Sequence, residues 1–351
     1  MRSRELWVDY AKAIGIILVV YGHVARGVCQ SFNSMNASFQ LADSVIYSFH
    51  MPLFFFLSGI FFVASTKKHG HKKMLLSKID TILYPYLLWS LLQGIIEFGL
   101  SPYTNKHATL TEVFSLLWEP RAQFWFLYTL LFCFLISSVF FRLISFKAIS
   151  VFFCLSVAIY LLHDYFISWS LISMISNNLV FFALGTLFSK QSSQDTLSSP
   201  WILLFFSLLF IASQYYFHFT LHLTYQAHGI PSLMLAIISI FFIASLSSAL
   251  ANLVQSRFFA FIGSASLAIY LMHIIIGSGT RIALSKLLHV SDIPLHIIAG
   301  CMAGIFIPML AFYYIKKTQT QWIFSARISN ILTKAGDTQR HSNIPKQYNK
   351  N

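Results

Sequence analysis

Apolar segments of about twenty residues recur along the whole chain, and they constrain its fold more than any other feature. A segment of that length is what an α-helix needs to cross the hydrocarbon core of a bilayer. Since 57% of the 351 residues are hydrophobic and only 10% are charged, a soluble fold could not bury this much apolar surface. The sequence therefore predicts an all-α, polytopic membrane helix bundle with about ten transmembrane helices. Their predicted boundaries are 6–25, 44–65, 79–99, 123–141, 148–163, 168–188, 201–218, 232–251, 259–279 and 295–315.

The basic residues predict the orientation of these helices. With the N-terminus in the cytoplasm, eighteen Lys and Arg fall on the cytoplasmic side and five on the outer side; Lys12, inside a helix, completes the 24. Cytoplasmic loops of membrane proteins carry such an excess of positive charge. Both termini are therefore predicted to be cytoplasmic. The same asymmetry accounts for the net charge of +13, so the expected partner is the lipid bilayer and not nucleic acid.

The loops predict a simple domain organisation. Residues 1–315 are expected to form one membrane-embedded domain, followed at 316–351 by a basic, partly disordered cytoplasmic tail. Asp9 and Lys12 interrupt the first apolar segment, so we expect it to be retained and not cleaved as a signal peptide. The longest outer connection, 100–122, has room for a short amphipathic segment. With no soluble domain predicted, any chemistry must take place inside the helix bundle.

The first apolar segment carries three ionisable residues, Asp9, Lys12 and His23. Lys12 and His23 are eleven residues apart, which is three helical turns plus about 20°, so they share one face at a separation of roughly 16 Å. Asp9 lies one turn before Lys12 on nearly the same face. Ionisable groups within a membrane helix are costly and mark a functional site by default.

Two further histidines, His50 and His273, are predicted at a depth similar to that of His23, in the outer half of the membrane. Neutral imidazole is favoured in an apolar site and can accept a proton, which suits a general base acting on an alcohol. Each ring could instead bond a neighbouring carbonyl and serve only the fold. No metal site is expected, because the three histidines lie on separate helices without a suitable carboxylate or cysteine at their level. The cysteines, Cys29, Cys133, Cys154 and Cys301, are interpreted as small buried hydrophobic residues.

Other polar residues leave alternatives open. Ser58-Gly59 could allow two helices to pack closely or leave room for an acyl chain. Trp125 could be an interface anchor or a platform for a sugar ring. At least one of Asn177 and Asn178 should face the bundle interior. The basic segment KKHGHKKMLLSK, which includes Lys72 and Lys73, could attract anionic lipid or contact the phosphates of a cytoplasmic donor.

Four stretches together resemble the membrane-bound acyltransferase family 3, and especially its fucose-acetylase-like and surface-glycan O-acetyltransferase branch. They are the first helix and the runs SFHMPLFFFLSGIFF, FWFLYTLLF and IGSASLAIYLMHII, and the resemblance covers about residues 5–315. The family's hallmark is an Arg, ten residues and a His in the first helix, and here Lys12 and His23 occupy those positions. Lys provides a point charge where Arg would provide a bidentate fork. The Ser-Gly of the family's Phe-rich stretch is intact as Ser58-Gly59.

The resemblance implies an O-acetyltransferase of the bacterial inner membrane that transfers acetyl from acetyl-CoA, as co-substrate and without a bound cofactor, to a sugar hydroxyl. The acceptor would be a cell-surface polysaccharide or its lipid-linked precursor. His23 and Lys12 are the expected catalytic residues, with His23 acting as general base or carrying the acetyl group itself. Asp9, Lys12, Lys72, Lys73 and Ser58 are expected on the donor side. The residues expected on the acceptor side are His50, Trp125, Asn178, His273 and Arg281.

A transporter or flippase for a glycan or small solute is the main alternative, because intramembrane His, Lys and Asn also suit a translocation path. Transporters often contain two similar halves with interrupted helices in matching positions, and no such repeat is visible in the sequence. A glycan polymerase would be expected to have a large external loop, and none is predicted. Consumption of acetyl-CoA separates an acetyltransferase from a transporter.

Overall fold

The protein is a bundle of helices in the computed structural model, and no β-strand occurs among the residues that the structure describes. The described residues are 3–100, 109–166, 170–191, 197–326 and 328–329. The helices are α1 (Ser3–Ser31), α2 (Ala37–Tyr47), α3 (His50–Lys78), α4 (Tyr84–Gly99), α5 (Leu110–Phe114), α6 (Trp125–Ile144), α7 (Ile149–Leu161), α8 (Ser170–Gln191), α9 (Pro200–Tyr215), α10 (Ile230–Leu253), α11 (Arg257–Ser264), α12 (Ser266–Ile282) and α13 (Ile293–Lys317).

Eight helical segments in the described part of the chain are long and apolar enough to cross a membrane. One of them, Ala37–Gly99, has 63 residues and contains the second and third predicted helices, and a shorter apolar helix, Phe146–Leu161, corresponds to the short fifth one. The prediction of an all-α polytopic bundle is confirmed. The chain is a multi-pass membrane protein.

Helix α1 is the packing centre of one half of the bundle. It contacts α3, α10, α11, α12 and α13. Its small side chains Ala11 and Ala13 are fully buried, which lets neighbouring helices approach closely. A Cβ atom on Gly263 of α11 would overlap the backbone of Asp9, so only glycine fits at this crossing.

Helices α3 and α8 form the other close crossing. A Cβ on Gly59 would overlap the carbonyl group of Phe182, and a Cβ on Gly185 would overlap that of Phe56. The close-packing interpretation of the Ser58-Gly59 pair is therefore confirmed for Gly59. This crossing turns Ser58 toward a cavity described below.

Several helix boundaries differ from the prediction. Helix α1 continues to Ser31, so Arg26, which follows the predicted helix 6–25, lies within the helix. The basic segment 67–78 is helical and kinks at Gly70, whose φ of 76° is readily adopted by glycine. The predicted helix 259–279 is divided at Ala265 into α11 and α12, and α11 packs closely against α1 at Gly263.

The first part of the predicted tail packs against the bundle. The indole N–H of Trp89 donates to the carbonyl of Ile323 at 2.9 Å, and the rings of Trp89 and Phe324 stack at 6.0 Å. The backbone N–H of Ser329 donates to the buried carboxylate of Asp80 at 3.1 Å. The disorder predicted for the end of the tail concerns residues 330–351, which lie outside the described residues.

The cysteines are all free thiols. Cys29 and Cys133 are buried, as predicted, whereas Cys154 is exposed on α7 and Cys301 is half-buried. The exposed position of Cys154 corrects the interpretation of all four as buried residues. A hydrophobic residue on the lipid-facing side of a membrane helix has the same sequence signature as a buried one.

Candidate active site

Two cavities meet beside the middle of α1. We call the first the lysine cavity; its volume is about 330 Å³ and its walls include Lys12, Ser58, Phe61, Lys78, Thr81 and Ser266. We call the second the aromatic cavity; its volume is about 420 Å³ and its walls include His23, Tyr47, His50, Trp125, Asn177 and Asn178. Val19, Met51 and Tyr270 line both cavities, so these three side chains form the boundary between them.

The lysine cavity combines two ammonium groups with mainly apolar walls. Lys12 lies 3.7 Å from the carboxylate of Asp9 and 5.9 Å from the ring centre of Phe61. The ammonium of Lys78 lies 4.3 Å from the ring centre of Phe134. Two lysines line the cavity and no Asp or Glu does among its described lining residues, so the cavity carries a positive charge, which suits a phosphate-bearing ligand with an apolar segment.

The predicted donor-side residues are only partly brought together. Lys12 and Ser58 line the lysine cavity, with the Ser58 hydroxyl bonded to the carbonyl of Phe54 at 2.8 Å, and Asp9 pairs with Lys12. Lys72 and Lys73 are exposed and do not line this cavity.

Lys78 lines the lysine cavity instead, and sequence reasoning did not select it. The kink at Gly70 and the helical turns after it carry the end of the basic segment back to the bundle. The available signal was that Lys78 is the last lysine of that segment and directly precedes the next apolar helix.

The three predicted histidines lie together. The ring centroids of His23 and His273 are 5.2 Å apart. The Tyr47 ring lies between His23 and His50. Its centroid is 6.3 Å from that of the His23 ring and 4.5 Å from that of the His50 ring. Three helices, α1, α3 and α12, thus place imidazoles around one point of the bundle.

Hydrogen bonds assign the tautomers of two of these rings. His50 Nδ1 donates to the carbonyl of Ile46 at 2.8 Å, and His273 Nδ1 donates to the carbonyl of Tyr270 at 2.8 Å. Each Nε2 therefore carries a lone pair. The Nε2 of His273 is buried and has no hydrogen-bond partner among the described residues.

His23 differs from the other two histidines in its hydrogen bonding. Within the described residues, neither of its ring nitrogens has a hydrogen-bond partner in the protein. Its side chain is only half-buried and lines the aromatic cavity. His23 therefore has both ring nitrogens available to a ligand, as a general base requires.

Arg26 was missed by sequence reasoning because α1 was predicted to end at residue 25. Its guanidinium makes a bidentate ion pair with Asp43, with both contacts at 2.7 Å. The same group lies 3.3 Å from the ring centre of Tyr47 and 4.9 Å from that of Tyr225. Arg26 thus holds Tyr47 in place between His23 and His50.

The remaining predicted acceptor-side residues occupy two different places. Trp125 and Asn178 line the aromatic cavity, and the Asn178 amide donates to the carbonyl of Met174 at 2.8 Å. Arg281 instead lines a third cavity of about 790 Å³, which also borders His23 and His273. Its guanidinium donates to the carbonyl of Gly27 at 3.1 Å. Arg281 is therefore separated from the aromatic cavity, although both cavities reach His23.

The fold and these cavities define a multi-pass membrane protein with a polar site enclosed by its helices. The acyltransferase 3 family model, described as an acyltransferase domain, matches residues 5–313. The chain therefore belongs to the acyltransferase 3 family.

Two relatives are similar over part of the chain. The nodulation protein NolL of Sinorhizobium fredii is 28% identical over 215 residues, which is 60% of this chain and 56% of the relative. NolL of Mesorhizobium japonicum is 26% identical over 191 residues, which is 54% of this chain and 48% of the relative. The chain spans about half the length of the curated relatives it matches. No solved structure matches it.

Proposed function

We propose that this protein is an O-acetyltransferase of the bacterial inner membrane. It transfers acetyl from acetyl-CoA to a sugar hydroxyl of a cell-surface polysaccharide or of its lipid-linked precursor. Family membership supports acyl transfer. The identity of the donor as acetyl-CoA, of the acceptor as a saccharide and of the membrane as the bacterial inner membrane is our proposal.

One observation carries it: the lysine cavity and the aromatic cavity meet next to the helix that bears both Lys12 and His23. Lys12 and Lys78 suit the phosphates of acetyl-CoA. The aromatic and amide walls around Trp125 and Asn178 suit a saccharide, which presents CH faces and hydroxyl groups. The distribution of Lys and Arg favours a cytoplasmic position for the lysine cavity, and acetyl-CoA is made in the cytoplasm.

The reaction we propose uses His23 as general base. His23 takes the proton of the acceptor hydroxyl while that oxygen attacks the acetyl carbonyl. The C–O bond of the ester forms, the C–S bond of the thioester breaks, and CoA leaves as a thiol with the proton that His23 returns. The ring of His273 packs beside that of His23, with the centroids 5.2 Å apart, and His273 is itself held by the bond from its Nδ1 to the carbonyl of Tyr270. Transfer through an acetyl-His23 intermediate would use the same groups. It would differ from direct transfer in showing ping-pong kinetics.

The test is acetyl transfer by the purified protein in lipid nanodiscs, with acetyl-CoA labelled in the acetyl group and a panel of bacterial surface oligosaccharides. We expect saccharide-dependent release of CoA and label in the saccharide. An intact thioester in the presence of every acceptor would overturn the proposal and would favour a transporter. Pre-steady-state release of CoA without acceptor separates the acetyl-histidine route from direct transfer.

A further inference from the structure

A second group of polar side chains borders the aromatic cavity, apart from the three histidines described above. The imidazole rings of His163 and His228 lie 4.3 Å apart, centroid to centroid. His163 is buried and contacts Ser176 and Asn177 of α8. Asn177 and His228 line the aromatic cavity.

The hydrogen bonds in this group form a chain in which each group donates to the next, from Asn177 through His163 and Ser176 to the carbonyl of Ser173. The Ser176 hydroxyl donates to the carbonyl of Ser173 at 2.9 Å, so its oxygen accepts the N–H of His163 Nδ1, also at 2.9 Å. His163 Nε2 then carries a lone pair and accepts from the Asn177 amide N–H at 3.3 Å. For a neutral His163 ring, this is the assignment that satisfies all three contacts.

This direction determines how the Asn177 amide is presented. With its NH₂ group held by His163, Asn177 points its Oδ1 away from that ring. Asn177 Oδ1 is buried without a hydrogen-bond partner in the described structure, on a residue that lines the aromatic cavity. A buried amide oxygen without a partner is unfavourable, and a ligand O–H would satisfy it.

His228 lines the same cavity and lies on a loop that is held by hydrogen bonds. The backbone N–H of Tyr225 donates to the Ser44 hydroxyl at 2.8 Å, and His218 Nε2 contacts the same hydroxyl at 2.9 Å. Gly229 ends the loop with a φ of 107°, a conformation that favours glycine. Burial lowers the pKa of both His163 and His228, which favours the neutral form of each ring. A neutral His228 offers one donor and one acceptor to a ligand.

We propose that Asn177 and His228 form a saccharide subsite that binds hydroxyl groups of the acceptor and sets which sugar is accepted. Asn177 Oδ1 accepts one hydroxyl proton, His228 bonds a neighbouring hydroxyl, and His163 is a positioning residue that fixes the Asn177 amide. This inference rests on the proposed function, because it names the acceptor side of that site. The ligand that this subsite would bind is a pyranose with adjacent hydroxyl groups.

The experiment compares Asn177→Leu, His228→Leu and His163→Phe with the wild-type protein in nanodiscs. A working acceptor is used together with its monodeoxy analogues. We expect Asn177→Leu and His228→Leu to raise the acceptor KM about tenfold each and to change the acetyl-CoA KM less than about twofold. His163→Phe should raise the acceptor KM by a smaller factor. The deoxy analogue that lacks the hydroxyl bound by Asn177 should be a poor acceptor for the wild-type protein and indistinguishable from the parent sugar for Asn177→Leu.

His222→Asn is the matched control, since His222 is an exposed histidine on the same loop that does not line the aromatic cavity. Its φ of 53° is one that asparagine tolerates. Unchanged acceptor KM and unchanged deoxy discrimination in Asn177→Leu would overturn the subsite. An equal rise in both KM values would also overturn it, because that is the result of a general structural defect.

A second measurement separates this inference from the proposed function. Saturation-transfer NMR with methyl pyranosides and their deoxy analogues reports saccharide binding without turnover. If the wild-type protein transfers no acetyl, the proposed function fails and the binding signal alone judges the subsite. A binding signal that disappears in Asn177→Leu and persists in His222→Asn would support the saccharide subsite. The absence of a saccharide signal for the wild-type protein would overturn the subsite.

Discussion

The imidazole rings of His23 and His273 lie 5.2 Å apart, although 250 residues separate them in the chain. Helix α1 carries one and α12 the other, and small residues between the helices allow this approach: a Cβ on Gly277 would lie 3.0 Å from Val24. His273 is fixed by the carbonyls of its own helix, whereas His23 has its ring nitrogens available to the cavity. This asymmetry makes His23 the reacting group and His273 its neighbour in the proposed mechanism.

Replacement of His23 by Ala should abolish acetyl transfer, with a fall in kcat of at least about 10²-fold, because general-base catalysis contributes about that much. Membrane insertion and monodispersity should be unchanged. His296→Ala is the control, since His296 is another buried histidine in a membrane helix but lines neither the lysine nor the aromatic cavity. Wild-type turnover by His23→Ala would contradict the mechanism.

Removal of the ammonium groups of the lysine cavity should weaken donor binding. Lys12→Met and Lys78→Met are each expected to raise the KM for acetyl-CoA about fivefold to tenfold and to leave the acceptor KM unchanged. Lys72→Met and Lys73→Met provide matched controls, because both side chains are exposed outside the cavity. A larger effect from the two exposed lysines than from Lys78 would show that the donor binds elsewhere.

Gly22→Ala should lower activity without unfolding the protein. A Cβ at this position would lie 2.8 Å from the ring of Tyr47, which separates His23 from His50. The ring must move, and its contact with Arg26 moves with it. We expect kcat/KM for acetyl transfer to fall about tenfold or more while the thermal midpoint changes little. Gly27→Ala, where the added Cβ meets nothing within 4 Å, is the control on the same helix.

Gly185→Ala should destabilise the bundle itself. Its Cβ would overlap the carbonyl group of Phe56, and a helix backbone cannot rotate away as a side chain can. The expected cost is about 1–3 kcal/mol or more, observed as a lower thermal midpoint in detergent. Gly279→Ala has open space around the added Cβ and should be neutral. Equal midpoints for the two variants would argue against the close crossing of α3 and α8.

Acid pH should weaken saccharide binding through His163. The folded-state pKa of His163 is lowered by burial, against a smaller opposing effect of Asp164, and its other electrostatic neighbour is His228. The ring is neutral above about pH 6.5, the ordinary value, and both binding and its contribution to stability are complete there. As the pH falls through the lowered pKa, Nε2 gains a proton and can no longer accept the Asn177 N–H.

The readout for this pH dependence is saccharide affinity by NMR, since protonation of His23 would also lower kcat. Affinity should be constant between about pH 6.5 and 8 and should decrease at lower pH in the wild-type protein. His163→Phe should lack the decrease assigned to that ring. A pH profile identical in the two proteins would contradict this role.

Much of this protein could be predicted from its sequence. Repeated apolar segments predict a membrane bundle, because a backbone in lipid must satisfy its own hydrogen bonds within helices. The rarity of ionisable groups in such segments singles out Lys12 and His23, and it also predicts that His50 and His273 lie at a similar depth to His23. The structure places all three histidines together, as that reasoning predicts.

Only the tertiary structure decided which partners these residues meet. Arg26 pairs with Asp43 across two helices, and Lys78 replaces Lys72 and Lys73 in the lysine cavity because the chain kinks at Gly70. His228 and Asn177 come from a loop and a distant helix, and nothing in their local sequences marks them as neighbours. Hydropathy and charge depend on each residue alone, so the sequence determines which segments enter the membrane. Side-chain contacts between helices depend on rotation and close approach, which are fixed by packing at glycines such as Gly59, Gly185 and Gly263.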